Sequence, residues 1–282
     1  ALYGIVNIPC NSILTRMKLE GADFAAVLAA AQKLGYAETP PDLDIDGHDA
    51  AHKTGILASL AHGFWVRPKK VHVEGIRHIT ALDIQFAGEL GYTIKLLGIV
   101  KKVAGACRVQ VSVYPTLIPN AHVLASVNGV FNAVFVQGDI AGDALFYGRG
   151  AGKDATASSV LSDLADATLD LKFGNQHRVP PFVPHECDGA VLPIEEVVSQ
   201  YFVRLNVVDR PGTLAKIAAI FGAADIGISS VIQPEGHEGK GVPLIFMLHY
   251  ATNGAVSGAL KQIGKLPVIK GKPVMIRVEN FE

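Results

Sequence analysis

Two strand-like runs, residues 92–103 and 107–114, are separated only by Ala104, Gly105 and Ala106. Three residues cannot hold a crossover helix, so the two runs must pair antiparallel as a hairpin. The second run alternates, with Val109, Val111 and Val113 on one face. Residues 130–137 and 144–147 make a second hairpin across the Gly138–Asp143 turn, and residues 71–75 add a short strand ahead of both. Residues 4–17 read as a strand end entering a helix, and residues 23–34 as a helix closed by Gly35 at its C′ position. A further helix follows residue 46, and residues 154–171 form another, with Val160, Leu161, Leu164, Ala167 and Leu171 turned inward. Strands joined by tight turns, with helices between the pairs, predict an α+β domain whose mixed, largely antiparallel sheet is covered by helices.

The texture changes after residue 172. Pro180, Pro181, Pro184 and Pro193 crowd a stretch that reads as a linker over 173–197. Beyond it the pattern is strand (201–208), turn (Asp209-Arg-Pro-Gly212), helix (214–221), strand (228–233), turn (236–241), strand (243–250), helix (256–263) and strand (274–278). That βαββαβ order predicts a ferredoxin-like sandwich. The expected division is therefore 1–172, linker 173–197, and a second domain over 198–282.

Composition excludes several functions. At 49% apolar and 18% charged residues the chain is compact rather than disordered, and its net charge of −1 offers nothing to nucleic acid or an anionic membrane. No apolar run reaches the ~18–20 residues of a membrane span. Cys10, Cys107 and Cys187 are scattered and cannot all pair, which suits a reducing cytoplasm. No two His sit at a zinc-type spacing beside a cysteine or third ligand; His48 and His52 stand at i, i+4 near Asp44 and Asp49, but no metal is expected there. Trp65, the single tryptophan, is expected in the core. The opening residues carry neither an initiator Met nor a signal peptide, and the expectation is the middle of a longer polypeptide.

The densest chemistry lies in residues 35–53. Pro40 and Pro41 stiffen a loop bearing Glu38, Asp42, Asp44 and Asp46, and Gly47 ends it. Asp46 is the expected N-cap of the next helix, whose buried face would carry Ala50, Ala51, Ile56, Leu57, Leu60 and Ala61. Asp49 and Lys53 stand at i and i+4 on that helix. By residue type alone they form an exposed ion pair worth ~0.3–0.5 kcal/mol. With the neighbouring carboxylates, the same pair suits a site that grips an amino acid's ammonium and protonates its reacting oxygen.

The run Leu-Gly-Tyr-Ala-Glu at 34–38, with Asp44, Gly47, Asp49-Ala-Ala and Lys53, resembles the substrate loop of homoserine dehydrogenases. The resemblance continues at 86–98 (Phe-Ala-Gly-Glu-Leu-Gly-Tyr-Thr-Ile-Lys-Leu-Leu-Gly), at 114–119, at 130–134 (Val-Phe-Asn-Ala-Val) and at 146–158. It implies that Glu38 and Asp44 meet the substrate's amino end, that Asp49 holds substrate and lysine, and that Lys53 is the proton donor. It also implies that Gly35 and Gly150 lie beside an NADP or NAD cofactor. That cofactor would be bound mainly by a Rossmann domain preceding Ala1, which would carry any monovalent-cation site. Two positions depart from the family pattern. Asn7-Ile8-Pro9 stands where Asn-Gly-Thr is usual, so Ile8 would obstruct the nicotinamide and Pro9 lacks a donor; Pro40 replaces an aspartate. Asp209-Arg-Pro-Gly212 resembles the first turn of an ACT domain, which implies a threonine-type effector and a homodimer or homotetramer.

Two functions follow. One is part of an NAD(P)H-dependent enzyme interconverting L-aspartate 4-semialdehyde and L-homoserine in threonine and methionine biosynthesis, inactive without its Rossmann domain. The other is a non-enzymatic amino-acid sensor built on the ACT-like module.

Overall fold

The computed structural model describes residues 1–33, 39–103, 108–175, 190–234 and 241–281. In chain order the elements are β1 (Leu2–Ile5), α1 (Ile8–Glu20), α2 (Phe24–Lys33), α3 (Asp42–Ile45), α4 (His48–His62), β2 (His72–Val73), α5 (Ala81–Glu89), β3 (Tyr92–Lys102) and β4 (Arg108–Pro119). There follow β5 (Phe131–Gly138), β6 (Gly142–Arg149), α6 (Lys153–Phe173), β7 (Ala190–Val191), β8 (Val198–Val208), α7 (Thr213–Ala223), β9 (Ile228–Ile232), β10 (Gly241–Thr252), α8 (Asn253–Ile263) and β11 (Val274–Val278). The architecture is the expected α+β, with a largely antiparallel open sheet. Among the described residues, no helix is long and apolar enough to cross a membrane.

The chain divides into two compact units, residues 1–81, 95–114 and 122–192 in one, residues 82–94, 115–121 and 193–282 in the other. The expected linker was 173–197; the units part at 192/193, and residues 82–94 and 115–121 group with the C-terminal unit. The reason is local: α5 and the end of β4 bond to C-terminal residues. Arg204 donates to the buried Asp83 carboxylate (Nη2–Oδ2 3.0 Å), β11 pairs parallel with Thr116 and Leu117, and Glu279 N–H donates to Leu117 O at 3.0 Å.

In the first unit the strand order is β6-β5-β1-β3-β4. β1 lies between two antiparallel neighbours, with Leu2 opposite Val100 on one side and Val136 on the other. Flanked on both edges, its four residues are all buried, as a short uninterrupted apolar strand should be. β5 and β6 form the second expected hairpin. For the first hairpin, Val103 N–H donates to Arg108 O, while its turn at 104–107 lies outside the described residues.

Helix α4 shows how close packing overrode hydropathy. Its buried face is Ala50, Ala51, Thr54, Gly55, Ala58 and Ser59, whereas the expected inward residues Ile56 and Leu60 are exposed. Small side chains let the helix lie tight on β3: a Cβ on Gly98 would stand 2.0 Å from Thr54 Oγ1. Trp65 is likewise not in the core but 57% exposed. It lies in the extended segment after α4, where Phe64 and Val66 point inward and alternation turns Trp65 out. In α6 the helical period is correct, yet the stripe from Val160 to Leu171 is exposed. Among the described residues, nothing packs over that stripe.

The second unit has strand order β11-β8-β10-β9, with β8 antiparallel to both β10 and β11. Numbered within the βαββαβ segment this is 4-1-3-2, the order of a ferredoxin-like sandwich. Tyr201, Val203, Leu205 and Val207 alternate inward from β8 against Ile217 and Phe221 of α7 and Val256 and Ile263 of α8. The Phe221 and Phe246 rings meet edge-on at 5.5 Å.

Candidate active site

The carboxylate loop is sorted by a short helix. After Pro41 the chain makes the single turn α3, then reverses at Gly47 (φ 86°) into α4. In a helix, residues i and i+4 share a face while i+2 points away. Asp42 and Asp46 therefore face Arg77, which pairs with both; its Nη2 lies 3.0 Å from Asp46 Oδ2. The hydrogen bond from Arg77 holds the Asp46 carboxyl below the usual carboxylate range. Asp46 is thus the C-cap of α3 and not the N-cap of α4; that cap is Gly47, with no side-chain bond. Asp44 points the other way, into the unit. The loop is fixed from below by the buried Ile45, whose carbonyl accepts from Ile76 N–H at 2.8 Å. Only glycine fits at position 75, where a Cβ would lie 2.2 Å from Ile45 O and 2.4 Å from Asp46 Cα.

The inward carboxylates meet the N-terminus of α1. Asn7 caps that helix, its Oδ1 accepting from Cys10 N–H at 2.9 Å. Its Nδ2 donates to Asp44 Oδ1 at 2.8 Å and to Asp49 Oδ2 at 3.0 Å. Lys53 Nζ donates to the same Asp49 Oδ2 at 2.8 Å and to Val6 O at 3.1 Å. The Lys53 side chain is 48% exposed, so the ammonium sits at the rim, anchored on one side and open on the other. Beneath, the Cys10 thiol donates to Asp44 O at 3.2 Å, and burial pushes its pKa well up. The thiol stays protonated and acts as packing.

The arrangement holds a cation beside two carboxylates spaced by one amide. Of the positions singled out in sequence, Asp44, Asp49 and Lys53 are brought together. Glu38 and Gly35 lie outside the described residues. Gly150 is placed by another contact: a Cβ there would stand 2.1 Å from Asn132 Nδ2. Asn7, Val6 O and Arg77 were missed. The i, i+4 spacing of Asp42 and Asp46 could have flagged a shared cation, and an Asn two residues before a Pro is a recognisable helix cap. Among the described residues, no group of three or more His, Cys, Asp or Glu side chains is placed to hold a metal ion.

Residues 1–165 match the family model described as homoserine dehydrogenase. The chain belongs to the homoserine dehydrogenase family. It is 42% identical over 284 residues to the homoserine dehydrogenase of Pseudomonas aeruginosa, covering 99% of this chain but 65% of that protein. The crystal structure of a homoserine dehydrogenase from Thiobacillus denitrificans superposes with a TM-score of 0.91 at 41% identity, covering 100% of this chain and 64% of that one. A Staphylococcus aureus homoserine dehydrogenase at pH 7.0 gives a TM-score of 0.73 at 30% identity, covering 99% of this chain. The chain thus spans just under two thirds of the length of these homoserine dehydrogenases.

At Ile8-Pro9, where an obstruction was expected from the family resemblance, the local structure is definite. Ile8 is buried rather than projecting from the surface, and Pro9 occupies the first turn of α1, where a missing N–H costs the helix nothing.

Proposed function

We propose that these residues supply the substrate-holding and proton-donating part of a homoserine dehydrogenase, interconverting L-aspartate 4-semialdehyde and L-homoserine with NAD(P)H. The observation that carries this reading is the sharing of Asp49 Oδ2 between Lys53 Nζ and Asn7 Nδ2. Asp44 and Asp49 offer lone pairs to the ammonium of the amino acid. Lys53 spends two donors on Asp49 and Val6 O, leaving a third N–H for the substrate oxygen. In the reducing direction the nicotinamide, when bound, supplies a hydride to the aldehyde carbon. The aldehyde oxygen then takes a proton from Lys53, and the product is the alcohol.

For the cofactor, the residue that fits is Asn132 beside Gly150. Among the described residues its Oδ1 is buried without a hydrogen-bond partner, an acceptor suited to a carboxamide N–H of the nicotinamide. Because one third of the relatives' length has no counterpart here, the 282-residue chain alone is expected to show no turnover. Steady-state assay of the natural full-length polypeptide, against the isolated chain, tests both points. Homoserine-dependent reduction of NAD(P)⁺ by the former only is the expected result, and its absence from the former overturns the reading.

A second reading rests on the other unit. A cavity of about 440 Å³ is lined by Asp209, Arg210, Gly212, Thr213 and Gln233 at the start of α7. Its backbone donors and the Asp209 and Arg210 charges suit a zwitterionic amino acid such as threonine, as an ACT-type effector or as the ligand of a non-catalytic sensor. Calorimetric titration with L-threonine tests for binding. Threonine binding without dehydrogenase activity in the full-length polypeptide would favour the sensor.

A further inference from the structure

Both ends of the Asn7 amide are committed. The Cys10 N–H needs an oxygen, so Oδ1 must face the helix and Nδ2 must face the acids. Its two N–H groups are then divided, one to Asp44 and one to Asp49. Two carboxylates drawn together repel, and a buried donor between them offsets part of that repulsion. Asn7 is only 4% exposed, so water cannot replace it. The Asp49 oxygen it holds is the one that anchors Lys53. A single side chain therefore fixes both carboxylates and, through one of them, the lysine.

We propose that Asn7 is the positioning residue of this site: it sets the separation of Asp44 and Asp49 for a primary ammonium group and holds Lys53 Nζ in register through Asp49. The inference rests on the proposed dehydrogenase reading and deepens it. It also gives the Asn7-Ile8-Pro9 segment a role: Asn7 caps the helix and holds the acids, while the two residues after it open the helix.

The test is a pair of substitutions in the natural full-length polypeptide, Asn7→Ser and Asn7→Asp, with Lys53→Ala alongside. Serine and aspartate both cap helices well, so α1 is retained, which circular dichroism verifies. Asn7→Ser removes both amide N–H donors and leaves one hydroxyl on a shorter side chain, and KM for homoserine is expected to rise roughly 10- to 100-fold, the range for a buried charge-assisted hydrogen bond. KM for the nicotinamide cofactor should stay unchanged. Asn7→Asp adds a third carboxylate, so its kcat/KM relative to the parent should recover as pH falls and one carboxyl regains a proton. A purely structural residue would show neither the split between substrates nor that pH profile. If Lys53→Ala abolishes turnover while both Asn7 variants keep the parent KM and pH profile, the role of Asn7 is wrong and the dehydrogenase reading stands. If Lys53→Ala keeps full turnover, the dehydrogenase mechanism itself falls, and this inference with it.

Discussion

Asp49 Oδ2 lies 2.8 Å from Lys53 Nζ, one helical turn away, and the same oxygen takes a second hydrogen bond from Asn7 on a different helix. An isolated i, i+4 pair on a helix surface is a weak contact. The second donor turns this one into a joint between α1 and α4. Replacing Asp49 by Asn leaves the shape but removes the charge. KM for homoserine should rise about tenfold or more, with KM for the nicotinamide cofactor unaffected, as steady-state kinetics on the full-length polypeptide would show.

Gly75 is expected to be intolerant of any side chain. Alanine there would drive Cβ into the Ile45 carbonyl at 2.2 Å, and neither backbone segment is free to give. A loss of roughly 1–3 kcal/mol is expected, read from the urea midpoint. Because the displaced element is α3, the same variant should bind substrate less tightly through misplacement of Asp44.

Lys95 gives the chain an alkaline preference. Its side chain is fully buried on β3, with Nζ donating to Asn11 Oδ1 and Asn128 Oδ1 at 3.0 Å each and to Val127 O. Burial, with Lys18 nearby, lowers its pKa from 10.5 to about 7. Above pH 7 the folded state sheds this proton while the unfolded chain keeps it, so stability rises with pH by about 1.4 kcal/mol per unit. Cys10 acts in the opposite sense above its ordinary pKa of 9.0, because the buried thiol keeps a proton that the unfolded chain loses. The rise should therefore span pH 7 to 9, level off up to 10.5 where the two slopes cancel, and reverse above it. Denaturation across that range should show it, and Lys95→Met should flatten it.

Much of this was legible in the sequence where local chemistry decides the outcome. Hairpins with short turns can form only one way, and the βαββαβ order was readable because each run is bounded by its own turn residues. Asp49 and Lys53 were readable for the same reason, since helical spacing alone brings them together. What escaped depends on partners distant in the chain. Arg77 reaches back 31 residues to Asp46, and Asp44 is left to face inward. Asn7 reaches 42 residues forward to Asp49. On α4, the rule that large apolar residues point inward failed because β3 offers Gly98 and demands small neighbours.

The most direct measurement is the turnover of full-length Lys53→Ala with L-homoserine and NAD(P)⁺, compared with the parent at saturating substrate. If Lys53 moves the proton at the substrate oxygen, kcat falls by roughly 10²–10⁴-fold while the protein stays folded. A variant that turns over at the parent rate would contradict that role for the Lys53 ammonium.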